Sequence, residues 1–348
     1  MEIAREDRRE RIVTQQASIS MTDNSRISEA RGAAVRAAQN AGLDEQQCGR
    51  VGIVATELAS NLTKHALKGE FLIGVTEWNG LPTVEMFALD QGPGITNLTE
   101  CLRDGFSTAG SPGTGLGAVA RLSSTFDMYT QPGKGTALLA SVQGTNGNGK
   151  ATRPPSMEVG AVWLAKPGEE ISGDGYAVHH QRDRSLYVVV DGLGHGPDAA
   201  AVARESLDVF RERVTLNPAA IVELMHRALR STRGGAVAVA EIDLCQKVVR
   251  FAGVGNISGV IVGPDGPRHL VSGNGIIGHD VRHIREFSYP WVKNGILVMH
   301  SDGLGTKWDL HSYGGLLARS PGIIAGVLYR DFARHRDDLA VLVARAME

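Results

Sequence analysis

Cysteine is scarce: Cys48, Cys101 and Cys245 are the only three in 348 residues, and no CxxC pair occurs. This argues against a thiolate zinc centre or a disulfide framework and fits a reducing cytosol. Charge of one sign is also missing. The formal balance of −2 gives no electrostatic reason to expect nucleic acid as a partner. No apolar run approaches the roughly 20 residues that a membrane span needs. The first eleven residues are charged and lack the apolar core of a signal peptide. Aromatic residues reach only 5%. No internal repeat or long low-complexity tract is present. These absences point to a cytoplasmic protein with no membrane partner.

What is present is globular: 42% hydrophobic and 21% charged residues, with 43 glycines. The length is comfortable for two domains. Gln143-Gly144-Thr145-Asn146-Gly147-Asn148-Gly149-Lys150, followed by Arg153-Pro154-Pro155-Ser156, has the composition of a solvated linker. The expected division is a domain over 10–142, a linker over 143–156 and a domain over 157–348.

Before the linker, helical spacing runs from Ile27 to Ala41 and stops at Gly42. Asp44 is placed to cap a second helix ending near Ala66. Strands are expected at 71–75 and 84–89, a helix start at 117–122, and a hairpin over 126–142 turning at 132–135. After the linker, strands are expected at 159–164, 176–179, 186–190, 236–242, 248–252, 259–262, 295–300 and 339–344. Helices are expected at 198–214 and 219–231. Many strands with two consecutive helices between them make an α+β sandwich rather than an alternating parallel sheet.

Each half carries a set of residues suited to phosphate. Glu57 and Asn61 lie four apart on the second helix and share a face, which His65 continues. An Asn amide oxygen can ligate Mg²⁺, and a nearby carboxylate can act as a base. Asp90 ends an apolar strand and can accept a hydrogen bond from an adenine amino group. Gly92 and Gly94 leave room for the base. Gly113, Gly115 and Gly117 open a helix whose free N–H groups suit phosphates. His65 reads either as a packing residue or as one on the phosphate side.

Glu57 to Asn61, Asp90 to Gly94, Gly113 to Gly117 and Gly135-Thr136 resemble the N, G1, G2 and G3 boxes of the GHKL ATPases. Among these, the first half is most similar to the small anti-sigma-factor serine kinases of the RsbT type. The resemblance covers roughly 10–142 and implies a Bergerat fold that binds ATP. It implies Glu57 as catalytic base, Asn61 as Mg²⁺ ligand, Asp90 as adenine anchor, Thr136 in the last box, and 95–112 as the lid. The target it implies is a serine or threonine on a STAS-domain protein.

In the second half, acidic residues sit at the ends of separate strands: Asp174, Asp191, Asp302, and Asp337 with Asp338. Such carboxylates can converge at one rim of a sandwich and suit hard ions such as Mg²⁺ or Mn²⁺. Two such ions can activate water against a phosphoryl group. Asp191-Gly192 continues through Gly194-His195-Gly196 into a helix, which a simple hairpin turn would not do.

These elements look like the SpoIIE branch of the PPM serine/threonine phosphatases, with 191–196 similar to the RsbX type. The resemblance covers roughly 157–346 and implies an α-β-β-α sandwich. It implies Asp191 bridging two metals with help from the Gly192 carbonyl. Asp302 and Asp337 would hold one metal, and Asp174 would act through metal-bound water. Asp338 remains an alternative to Asp337. His195 is a candidate proton donor to the leaving serine oxygen, although its place four residues after Asp191 departs from the eukaryotic branch. No arginine is assignable as a phosphate clamp.

The expectation is a bifunctional bacterial regulator that phosphorylates and dephosphorylates STAS-domain partners. The alternative is that the first half only binds ATP and a partner, a STAS protein or a sigma factor, and gates the phosphatase.

Overall fold

The computed structural model describes residues 9–78, 81–95, 115–145, 156–181 and 183–347. The chain forms two compact units that are not continuous in sequence. One is Gln16–Ala151 with Ala318–Arg330; the other is Met1–Gln15, Thr152–Leu317 and Asp331–Glu348. Residues 10–15, expected in the first domain, therefore group with the second unit, while 318–330 group with the first. Gln143, expected in the linker, ends a strand, and linker residues 146–155 lie outside the described residues. Among the described residues no helix is long and apolar enough to cross a membrane.

The second unit takes the first strand, β1 (Arg9–Val13). The first unit starts at β2 (Ala17–Ser20), followed by α1 (Ser25–Asn40) and α2 (Glu45–His65). Gly42 accepts φ +78° just after α1. Asp44 and Gln47 form a reciprocal capping box at the start of α2, a device that adds about 1 kcal/mol. Then come β3 (Glu70–Trp78), β4 (Leu81–Leu89), α3 (Gly115–Leu122), β5 (Thr125–Gln131) and β6 (Gly135–Gln143). The strands pair antiparallel in the order β2-β3-β4-β6-β5. Val84, Met86 and Ala88 alternate toward the buried cluster that includes Ala30, Ala34 and Leu58 of the two long helices.

Phe87, Leu89 and Leu139, out of phase with that cluster, meet a helix from far downstream, α6 (Pro321–Phe332). Its Gly322 lies against Leu139 and its Gly326 against Phe87 and Leu89. Ser320 N–H and Arg319 bond to Asp127, and Tyr329 Oη–H donates to Glu70 at 2.6 Å. A Cβ added at Gly322 would stand 2.5 Å from Leu139 Cδ2. Gly322→Leu is accordingly expected to destabilise this unit by about 1–3 kcal/mol, read as a lower urea midpoint. The sequence reading did not anticipate α6. Every residue from Pro321 to Arg330 is buried, so the helix has no polar face to give it a period.

The second unit has two antiparallel sheets. One has the order β14-β11-β10-β9-β8-β1, where β8 is Asp174–His180, β9 Arg184–Gly192, β10 Gly235–Asp243, β11 Val248–Val254 and β14 Phe287–Pro290. The other has the order β13-β12-β15-β16-β7, where β7 is Met157–Leu164, β12 Ser258–Gly263, β13 Gly266–His269, β15 Ile296–His300 and β16 Leu339–Ala346. Strands β1, β13 and β14 were not placed by the sequence reading. Tyr187 and Val189 of β9 enter a core that also holds Leu297, Met299 and Leu342 of the other sheet. Leu186, Val188 and Val190 point the other way, into a core with α4 (Pro197–Glu212) and α5 (Pro218–Ala228). Apolar side chains on both faces explain the unbroken run Leu186 to Val190. The fold class is α+β in both units, with a helix-covered sheet sandwich in the second.

Candidate functional site

In the first unit the box residues converge. Glu57 and Asn61 are half-buried on α2. A Cβ on Gly115 would lie 3.3 Å from Glu57 Oε2 and 3.9 Å from Asn61 Oδ1, so the start of α3 sits directly on this pair. Gly117, two residues further on, is buried. Asp90 Oδ1 accepts the Gly92 N–H at 2.7 Å, and Asp90 N–H donates to the Thr136 carbonyl at 2.9 Å. Gly135, at φ +81°, must be glycine, because a Cβ would stand 2.0 Å from the Asp90 carbonyl oxygen. Gly94 adopts φ +73° against the Gln131 carbonyl. Thr136 Oγ1 lies 3.2 Å from Thr130 Oγ1, whose oxygen also takes the Ile95 N–H. His65 is exposed, its carbonyl abuts Gly92, and its ring lies near enough to Asp90 to favour the charged carboxylate. Gly113 and 96–112 of the expected lid lie outside the described residues.

Burial raises the Asp90 carboxyl above its ordinary value, opposed by the Gly92 N–H and by Arg330 of α6. Gln91 Nε2 donates to the Arg330 carbonyl at 3.1 Å. Arg330 lies 240 positions from Asp90, and nothing in the local sequence signals it. Arg330→Leu should weaken ATP binding several-fold in calorimetry, because Asp90 then loses a cation that favours its charged, accepting form. Unchanged affinity would remove Arg330 from the pocket.

In the second unit Asp174 and Asp191 face one another across the β8–β9 ladder. Asp191, Asp302 and Asp337 line one cavity of about 670 Å³, which His195 also borders. Asn256 Nδ2 donates to Asp302 Oδ2 at 2.8 Å, and Asn256 lies near enough to Asp191 to oppose the rise of its carboxyl. Gly192 is fixed from both sides: its N–H donates to the Gly173 carbonyl, and a Cβ would stand 2.4 Å from the Ala199 carbonyl oxygen.

The acidic pair at 337–338 divides its work. Asp337 is exposed at the cavity. Asp338 is buried, with Oδ1 taking the Lys166 N–H at 2.7 Å and Oδ2 the Gly173 N–H at 2.8 Å. With both oxygens on backbone donors, Asp338 clasps the loop that leads to Asp174. The same loop is held by Gln15, whose side chain bonds Ser172 and Glu170. His195 Nδ1 lies 2.7 Å from Glu169 Oε1. Sequence reading named neither Asn256, Gln15 nor Glu169; each acts through a side chain brought in by a separate loop.

Among the described residues, no group of three His, Cys, Asp or Glu side chains is already drawn around one metal position. The donor set nevertheless fits a hard cation. Burial and the neighbouring carboxylates Asp302 and Asp337 push Asp191 up to about 7, and burial with Asp191 beside it pushes Asp174 well above the carboxylate range. Among the described residues, none gives the buried Asp174 Oδ2 a hydrogen bond. Mutual repulsion of this kind is what a divalent ion relieves.

The sign of the pH effect follows. A carboxyl whose folded value lies above its unfolded value binds more protons when folded, so stability without metal falls as pH rises from about 4 to 7. The rise in Tm on adding Mg²⁺ or Mn²⁺ should be larger at pH 7.5 than at pH 5, and Asp191→Asn should shrink that difference. An equal rise at both pH values in the unmutated protein would contradict the cluster's coupling.

Residues 21–142 match the family described as histidine kinase-like ATPase domain, and 181–346 match that described as Stage II sporulation protein E (SpoIIE). Serine/threonine-protein kinase RsbT of Bacillus subtilis is 37% identical over 91 residues, 26% of this chain and 68% of RsbT. Phosphoserine phosphatase RsbX of Bacillus subtilis is 22% identical over 151 residues, 43% of this chain and 75% of RsbX. A solved structure from work on the bacterial stressosome as a modular system controlling secondary messenger signalling is 29% identical, with a TM-score of 0.51. It covers 54% of this chain and 99% of its own. The crystal structure of RsbX with magnesium shares the fold at 21% identity and TM-score 0.51, covering 56% of this chain and 98% of its own. The chain thus belongs to the RsbT-like histidine kinase-like ATPases through its N-terminal domain, and its C-terminal domain matches the SpoIIE family over 181–346.

Proposed function

We propose that the protein both adds and removes phosphate on a STAS-domain partner, with ATP and Mg²⁺ in the first unit and divalent cations in the second. The observation that supports the phosphatase half best is the single cavity edged by Asp191, Asp302 and Asp337, with buried Asp174 opposite Asp191. Divalent cations held by these carboxylates and the Gly192 carbonyl would activate water for attack on phosphorus. Asn256 orients Asp302, Asp338 fixes the loop that presents Asp174, and His195, paired with Glu169, would protonate the leaving oxygen.

In the first unit Glu57 is the base that receives the target hydroxyl proton, Asn61 ligates the cation on the phosphates, and Asp90 anchors adenine. The contact of Gly115 with Glu57 and Asn61 supports this set acting together. The likeness to RsbT and RsbX supports a STAS-type partner in a partner-switching pathway.

The phosphatase half is checked by release of phosphate from a phosphoserine protein. No cysteine falls in the acidic motifs, and neither Cys48 nor Cys245 is in a disulfide. Iodoacetamide should leave the activity intact while EDTA removes it and Mn²⁺ restores it. Metal-independent hydrolysis, or loss on alkylation alone, would overturn the reading.

A further inference from the structure

We propose that the phosphatase cavity carries an apolar substrate subsite, formed by Leu193 and Ile276, that selects phosphoserine or phosphothreonine segments with an apolar residue beside the phosphorylated one. The proposal rests on the phosphatase reading and adds a specificity to it.

Ligand pockets combine apolar lining with a few convergent polar groups. Leu193 is 51% exposed and Ile276 37% exposed, and both line the cavity that holds Asp191, Asp302 and Asp337. They come from different segments that both pack against Gly234. Leu193 N–H donates to the Gly234 carbonyl at 2.9 Å, and a Cβ on that same Gly234 would lie 2.9 Å from Ile276 Cγ2. The Ile276 loop is pinned as well. Ile277 and Gly235 exchange backbone hydrogen bonds at 2.8 and 3.3 Å, and Ile276 N–H donates to the Asp280 carbonyl at 2.9 Å. The pair is therefore a preformed platform, which costs little ordering when a ligand settles on it.

Charge complementarity names the occupant. Lys166 and Arg336 line the same cavity and suit a phosphate, while Leu193 and Ile276 offer no polar partner. At about 670 Å³ the cavity exceeds what one phosphorylated side chain fills, leaving space for a neighbouring residue. A phosphoserine flanked by leucine, isoleucine or valine satisfies both parts, whereas a flanking serine or aspartate would lose water at the platform without a replacement bond.

Two phosphoserine heptapeptides test this, differing only in the residues on either side of the phosphoserine: leucine on both sides or serine on both sides. Each is assayed with the full-length Mn²⁺-loaded protein beside p-nitrophenyl phosphate. A half-exposed apolar contact should favour the leucine peptide by about tenfold in kcat/KM, mostly through KM. Ile276→Ser should bring that ratio to about twofold or less. Equal kcat/KM for the two peptides in the unmutated protein, with p-nitrophenyl phosphate hydrolysed, would sink the subsite while sparing the phosphatase reading. No hydrolysis of any of the three would sink both. An undiminished ratio in Ile276→Ser would also overturn the proposal, and if that variant does not fold, the ratio in the unmutated protein decides.

Discussion

Asp191→Ala is expected to lower phosphatase kcat by about a thousandfold, the worth of roughly 4 kcal/mol of lost transition-state stabilisation. Asp191 stands at the crossing of the site. It pairs with Asp174 across β8 and β9 and repels Asp302 and Asp337. A carboxylate so placed can serve two cations, so removing it disables both positions. Asp337→Ala should raise the Mn²⁺ concentration needed for half-activity and lower the rate. Asp338→Ala should act differently. It frees the Lys166 and Gly173 N–H groups, so its main cost is in stability, about 1–3 kcal/mol for buried donors left without a partner. The contrast is read by pairing metal titrations with urea unfolding. If Asp338→Ala raised the metal requirement as much as Asp337→Ala with no loss of stability, the division of labour between the two would be wrong.

Glu57→Gln should leave ATP affinity within about twofold while lowering phosphate transfer by about 10²–10⁴, because a base acts on the transition state more than on the ground state. Asn61→Ala should instead remove the Mg²⁺ dependence of nucleotide binding. Calorimetry with and without Mg²⁺ separates the two. A wild-type protein that binds ATP and its partner but never phosphorylates it would favour the gating alternative.

Much of both sites could be read before any coordinates, since it is carried by short stretches whose backbone demands are local. Asp44 with Gln47, Gly42 at positive φ, and Asp191-Gly192 at a strand end all behave as their neighbours in sequence require. What escaped was non-local. Asn256 meets Asp302 over 46 positions, and Gln91 meets Arg330 over 239. Nothing in the local composition records such pairings. The choice between Asp337 and Asp338 is open in the sequence for a related reason: the two sit in a bend just ahead of β16, and only the surroundings show which of them faces the cavity. Helix α6 was hidden by its own burial. Its apolar run, Ile323 to Leu328, gives no periodic contrast between faces.

The central claim is that one chain carries two opposed activities toward one partner. The direct test is the intact mass of a candidate STAS-domain protein incubated with ATP and Mg²⁺ or Mn²⁺. With Asp191→Ala the phosphorylated form should accumulate by one phosphate. With Glu57→Gln a pre-phosphorylated partner should lose that phosphate, and the unmutated protein should settle between these limits. A partner that gains no mass with Asp191→Ala and loses none with Glu57→Gln, although it binds both, would contradict the claim.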